Sequence, residues 1–190
     1  MELQWFDIRE LTEETAAAVM AMMDETRRRR VADIAGDDDR KRTIAGELLA
    51  RRMLSAALDC GEKDVPLQWD ELGKPTVERD GVYVSVSHSG AWAVCAVAET
   101  PVGVDVEVIR SAQEKFMRRV CSEREMACIR PGDDGDCRRF WEIWTAKEAL
   151  FKLTGRGPLL ALSRFALPEG VALDYTEKNG CALTVAAQIL

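Results

Sequence analysis

The chain has 190 residues, 47% of them hydrophobic and 31% charged, with a net charge of −7. Such a composition excludes a disordered chain, and the acidic balance argues against general nucleic-acid binding, because most of the surface repels a polyanion. The length allows one larger domain or two small ones, and no apolar run reaches the length of a membrane span.

Taken in order, Leu3 to Ile8 reads as a short strand. Thr12 caps a helix with Glu13 and Glu14 in its first turn, a body over 16–23, and the four arginines Arg27 to Arg30 ending it. A second helix is predicted from about Asp39 to Cys60, with an apolar stripe of Ala45, Leu48, Leu49, Met53 and Ala56 and Gly61 as its stop. Leu72 to Pro75 breaks regular structure and presents Lys74 between a glycine and a proline. Val82 to His88 alternates as a strand, Ser89-Gly90 turns the chain, and Ala91 to Ala98 returns as a fully buried strand. A third strand follows at Pro101 to Ile109.

The boundary between two halves falls near Glu99 to Gly103, giving residues 1–102 and 103–190. Ser122 to Glu125 is a capping box opening a short helix that stops before Pro131. Beyond the acidic loop Pro131 to Asp136, a long helix is predicted from about Cys137 to Thr154, ended by Gly155. Ser163 to Leu167, Val171 to Tyr175 and Cys181 to Ala187 read as strands, the last two joined by an Asn179-Gly180 hairpin turn.

Among the motifs, Asp105 and Glu107 alternate with Val104, Val106 and Val108, so the valines face a core and both acids project from the other face. Two hard oxygen donors about 6 to 7 Å apart at Cα suit Mg²⁺, which takes its other ligands from water and substrate phosphates. The same pattern also describes a solvent-facing strand carrying acids. Arg27 to Arg30 form one cationic cluster, and Arg40, Lys41, Arg42, Arg51 and Arg52 form a second. They are either a seat for one phosphorylated ligand or solvated helix faces. On the long helix, Trp144, Glu148 and Lys152 share one stripe with Lys147 beside it. That stripe is either an i,i+4 surface ion pair, or a third oxygen ligand or base at Glu148 with Lys147 and Lys152 facing a phosphate. Six cysteines never form a C-x-x-C pair and His88 is the only histidine, so reduced cytosolic thiols are expected. A Cys/His zinc site, or a histidine triad without His88, is not.

Gly73-Lys-Pro75, Val86-Ser-His-Ser89, Gly103-Val-Asp-Val-Glu107 and Trp144-Thr-Ala-Lys-Glu148 with Lys152, in this order, resemble the motif set of the Sfp-type 4'-phosphopantetheinyl transferases. The resemblance implies an α+β fold of two similar α/β halves related by a pseudo-two-fold, with coenzyme A and Mg²⁺ in the cleft between them. It implies transfer of the phosphopantetheine arm of coenzyme A to a serine of an apo acyl or peptidyl carrier protein, releasing adenosine 3',5'-bisphosphate. By similarity Asp105, Glu107 and Glu148 hold Mg²⁺, while Asp105, Glu148 and Lys152 are catalytic, with Glu148 or a metal-bound water taking the serine proton. Arg27, Arg30, Arg42, Thr43, Lys74, Pro75, Ser87, His88 and Lys147 are the expected coenzyme A contacts, the first half supplying phosphate and adenine contacts and the second the metal site. The family commonly has lysines where this chain has Arg27 and Arg30, and the stretch after Phe165 is short, as though one strand pair were missing. A cytoplasmic monomer that binds neither nucleic acid nor membrane is expected. A Mg²⁺-dependent nucleotide phosphohydrolase and a non-catalytic domain binding coenzyme A or a carrier protein are the alternatives.

Overall fold

The computed structural model describes residues 1–71, 73–129, 137–155 and 167–189, in two compact units, Met1–Pro101 and Val102–Leu190. Helices and antiparallel sheets are mixed in both, which makes the chain an α+β protein.

In the first unit, β1 (Glu2–Asp7) leads to α1 (Glu13–Met22), capped by the Thr12 side chain accepting from the Thr15 N–H. The four arginines do not end this helix as expected. Met23 is extended, and Asp24 opens a separate helix, α2 (Glu25–Ala32), by accepting from the Arg27 N–H. The long helix α3 (Asp37–Leu58) stops at Asp59, which is left-handed at φ 51°, and not at Gly61. A short hairpin, β2 (Leu67–Trp69) with β3 (Pro75–Val77), brackets the glycine-lysine turn where irregular chain is expected from sequence, and Leu72 within it lies outside the described residues. β4 (Tyr83–Ser89) and β5 (Trp92–Ala98) pair as the expected hairpin, with β1 on the far side of β5. Ala45, Leu49, Ala50 and Met53 of α3 close the core over Val84, Ala93, Cys95 and Val97 of this sheet.

The second unit opens with β6 (Val102–Val108), continues through α4 (Glu114–Val120), α5 (Glu123–Cys128) and α6 (Arg138–Thr154), and ends in the hairpin of β7 (Val171–Lys178) and β8 (Cys181–Gln188). The Ser122–Glu125 capping box is formed, and Gly155 ends α6 in the left-handed region. Asn179 and Gly180, both at positive φ, make the predicted turn. The loop expected at Pro131 to Asp136 lies outside the described residues, as does the strand expected at Ser163 to Leu167 apart from its last position.

The two units share a topology. In each, a strand precedes a long helix, an antiparallel hairpin follows, and the hairpin's second strand sits in the centre of the sheet: β1-β5-β4 around α3's unit, β6-β8-β7 around α6's. Helix α6 packs on the face of β6 and β8 that carries Asp105 and Thr184, cross-strand partners in register.

Candidate active site

Gly103 is what lets α6 approach β6. A Cβ there would lie 2.0 Å from the Ala149 carbonyl oxygen and 2.6 Å from the Leu153 nitrogen, so only a residue without a side chain fits beneath the helix backbone. Two residues along, on the same face, Asp105 is therefore covered and only 5% exposed. The solvent-facing alternative for this carboxylate is excluded. Lys152 reaches across from α6, its Nζ donating to Asp105 Oδ1 at 2.8 Å and to the Val104 carbonyl at 3.0 Å. Lys152 thus bonds the strand and not Glu148, which removes the surface i,i+4 pair as the meaning of their spacing.

Glu148 lies one turn before Lys152 and is half-buried. Its Oε1 is sealed from solvent and has no hydrogen-bond partner among the described residues. Burial first, then the negative charge of Asp105, push this carboxyl up to about 7; Lys152 opposes the shift and Glu107 adds to it. Three carboxylates thus crowd one ammonium, an arrangement short of positive charge. Among the described residues no three acidic, cysteine or histidine side chains close into a ready cage. Mg²⁺ does not require one, since it binds through one or two carboxylates and completes its shell with water and phosphate oxygens. The surplus charge and the orphaned Glu148 oxygen fit such an ion.

Lys147 is elsewhere. Expected beside a phosphate, it is 5% exposed, with Nζ donating to the Val120 carbonyl at 2.9 Å and to Glu125 Oε2 at 2.7 Å. Glu125 itself, read only as a capping residue, was missed as a partner; its acceptance of the Ser122 N–H at 2.6 Å leaves the same oxygen facing Lys147. Burial raises the Glu125 carboxyl, but the bonds from Lys147 and Ser122 outweigh it and hold the group below the usual range. A further anchor, Thr145 Oγ1 to Thr184 Oγ1 at 2.8 Å, carries no sequence signal, because it joins residues 39 positions apart.

The expected coenzyme A contacts of the first unit fall into two groups. Arg27 stacks its guanidinium 3.9 Å from the centre of the Trp69 ring, its Nε 3.7 Å from Glu47 Oε2. Glu47 is 1% exposed and accepts from Arg51 Nε at 2.8 Å, so Arg51 is a core residue and not part of a cationic face. Arg30, exposed on α2, reaches the Asp70 carbonyl at 3.5 Å in the β2–β3 hairpin that carries Lys74 and the buried Pro75. Lys74 is itself half-buried, its N–H donating to Asp70 Oδ1 at 2.8 Å.

The second group gathers where α3 begins beside the β4–β5 turn. Arg42 donates to the Gly90 carbonyl at 2.8 Å and to Asp39, and Thr43 Oγ1 donates to the Asp39 carbonyl at 2.9 Å. His88 is exposed at the end of β4 and near enough to Asp39 to help lower its carboxyl, after the larger effect of Arg42; Ser87 is buried on the opposite face. Arg40 and Lys41 pair with Asp37 on the solvated side of α3, as the plain reading of a charged helix face has it. Glu47 and Trp69, which hold Arg27, were not visible in sequence: neither is near Arg27 in the chain.

A family model described as the 4'-phosphopantetheinyl transferase superfamily matches residues 101–183, and a second, described as 4'-phosphopantetheinyl transferase, N-terminal, matches residues 10–100. The chain is 32% identical to the 4'-phosphopantetheinyl transferase gsp of Aneurinibacillus migulanus over 67% of its own length and 54% of that protein's. It is 27% identical to the 4'-phosphopantetheinyl transferase Sfp of Bacillus subtilis (strain 168), over 84% of this chain and 72% of that one. A phosphopantetheinyl transferase of Thraustochytrium is 33% identical over 87% of this chain and 65% of that protein. The chain thus spans between about half and three quarters of the length of these relatives. With one family model on each unit, Asp105 and Glu107 falling in the matched stretch beside Glu148 and Lys152, the chain belongs to the 4'-phosphopantetheinyl transferase superfamily.

Proposed function

We propose that this protein transfers the phosphopantetheine arm of coenzyme A to a serine of an apo acyl or peptidyl carrier protein, releasing adenosine 3',5'-bisphosphate, with Mg²⁺ as cofactor. The observation that carries the reading is the Glu148 carboxyl, buried beside Asp105 and Glu107 with an oxygen left without a partner. Asp105, Glu107 and Glu148 are the residues to hold Mg²⁺, which when bound supplies positive charge against the pyrophosphate. Glu148 accepts the proton of the serine hydroxyl as its oxygen bonds to phosphorus and the bond to the bisphosphate breaks. Lys152 has a third N–H beyond the two given to Val104 and Asp105, and it steadies the charge that develops on the phosphoryl oxygens.

Coenzyme A phosphates are assigned to Arg27, Arg30, Arg42, Thr43, Ser87 and His88, with Lys74 and Pro75 on the adenine side. Arginine in place of the family's lysines at 27 and 30 suits a fork contact to phosphate, and at 27 it permits the stack on Trp69. Their shared topology supports reading the two units as similar halves related by a pseudo-two-fold, residues 1–102 for coenzyme A and 103–190 for the metal and chemistry. The setting proposed is a monomer in the cytoplasm; no helix among the described residues is long and apolar enough to cross a membrane.

Intact-mass measurement of an apo carrier protein incubated with the chain, coenzyme A and Mg²⁺ tests the reading. A phosphopantetheine increment on the carrier supports transfer. Hydrolysis of coenzyme A with an unmodified carrier supports a phosphohydrolase, and tight binding with neither supports a binding domain.

A further inference from the structure

Lys147 is a lysine adjacent in sequence to Glu148 yet withdrawn from solvent, and a buried ammonium is retained only where its donors are matched. Its partners are both on the segment that runs from β6 back to α6. The Val120 carbonyl lies at the end of α4, and Glu125 belongs to the capping box of α5. Successive residues of a helix point about 100° apart. Fixing the Lys147 side chain to α4 and α5 therefore fixes the rotation of α6 at the turn where Glu148 must face Asp105. The other polar anchors of α6 do not set this angle locally. Thr145 meets Thr184 on the sheet, Trp141 Nε1 donates to the Arg110 carbonyl at 2.7 Å about two turns before Glu148, and Lys152 bonds β6 one turn after it.

We propose that the pair of buried Lys147 and half-buried Glu125 is a positioning device, holding α6 so that the Glu148 carboxylate is aimed at Asp105 and Glu107, and that neither member touches substrate. The proposal rests on the transferase reading for its activity readout. Glu125 does two things with one oxygen: it closes the start of α5 by accepting the Ser122 N–H and anchors α6 through Lys147. The α4–α5 segment is thereby coupled to the acid site without contributing a group to it.

The test compares Lys147→Met, Lys147→Arg and Glu125→Gln in the full chain, by transfer kinetics and by amide exchange across residues 144–150. Lys147→Met is expected to lower kcat about 100-fold, the effect of roughly 1 Å of misplacement, with KM for coenzyme A within twofold of wild type. Lys147→Arg keeps charge and donors and should stay within about fivefold of wild type in kcat. Amides of α6 in the methionine variant should exchange at least about tenfold faster, a readout independent of turnover. A folded Lys147→Met protein with kcat within twofold of wild type overturns the proposal. Should that variant not fold, Glu125→Gln decides: about tenfold lower kcat at unchanged KM supports the device, and an unchanged kcat overturns it. If wild type itself transfers nothing, the transferase reading fails, and the α6 exchange rates alone judge the tie, unchanged protection in Glu125→Gln overturning it.

Discussion

Replacing Gly103 by alanine separates the helix from the strand without altering any charged group. The new Cβ would lie 2.0 Å from the Ala149 oxygen, and ordinary contact begins at 3.4 Å, so α6 must retreat by 3.4 − 2.0 = 1.4 Å or β6 must bend by as much. Both opposing atoms, the Ala149 oxygen and the Leu153 nitrogen, are backbone, so no rotamer change relieves the overlap. Overpacking of this kind costs about 1–3 kcal/mol, and at about 2–4 °C per kcal/mol for a chain of this size the melting temperature falls by roughly 2–12 °C. The retreat acts on Ala149 and Leu153, the neighbours of Glu148 and Lys152, and stretches the 2.8 Å Lys152–Asp105 bond beyond hydrogen-bonding range. A displacement of about 1 Å at a reacting group lowers turnover about 100-fold. Transfer kinetics and thermal melting on the same preparation read both effects, with KM for coenzyme A unchanged. A Gly103→Ala protein that melts and turns over as wild type does would refute the close packing of α6 on β6.

Asp105→Ala and Glu148→Ala should each abolish transfer while circular dichroism shows the fold intact. Glu148→Gln, with divalent cations chelated, is expected to melt at a higher temperature than wild type at pH 8. The folded carboxyl is raised to about 7, so wild type binds more protons folded than unfolded and loses stability as pH rises toward that value; the difference between the two proteins should vanish as pH falls to the usual glutamate range. Glu125→Ala removes the carboxylate partner of the buried Lys147 ammonium, a loss of about 1.5–3 kcal/mol measurable by urea unfolding. Arg27→Ala should raise KM for coenzyme A about tenfold with kcat within twofold, since it removes the stack on Trp69 and the proposed phosphate contact but no proposed reacting group.

What was legible in sequence was what local chemistry writes. Alternation marked β6 and β4, a continuous apolar run after Ser89-Gly90 marked β5, Thr12 and the Ser122–Glu125 box marked helix starts, and Asn179-Gly180 marked the last hairpin. Strand and helix periods put Asp105, Glu148 and Lys152 on defined faces, and the structure brings those faces together. The misses are of another kind. The division of α1 from α2 depends on two extended residues, Met23 and the cap Asp24, inside a stretch that reads as continuous helix. Helix α4 begins after Gln113 with no side-chain cap to mark it, and the end of α3 at Asp59 requires a non-glycine residue in the left-handed region, which glycine at position 61 outranks on propensity. Lys147 looked like its neighbours in the Trp144–Lys152 stripe, and only the position of Glu125, 22 residues earlier, turns it inward. Long-range partners of this sort have no spacing to read.

The most direct measurement is the mass of an apo carrier protein after incubation with coenzyme A, Mg²⁺ and either wild type or the Asp105→Ala variant. The account predicts a phosphopantetheine increment with wild type and none with the variant, both proteins being folded. Equal modification by the two proteins would contradict it, because the buried carboxylate on β6 would then have no part in the reaction.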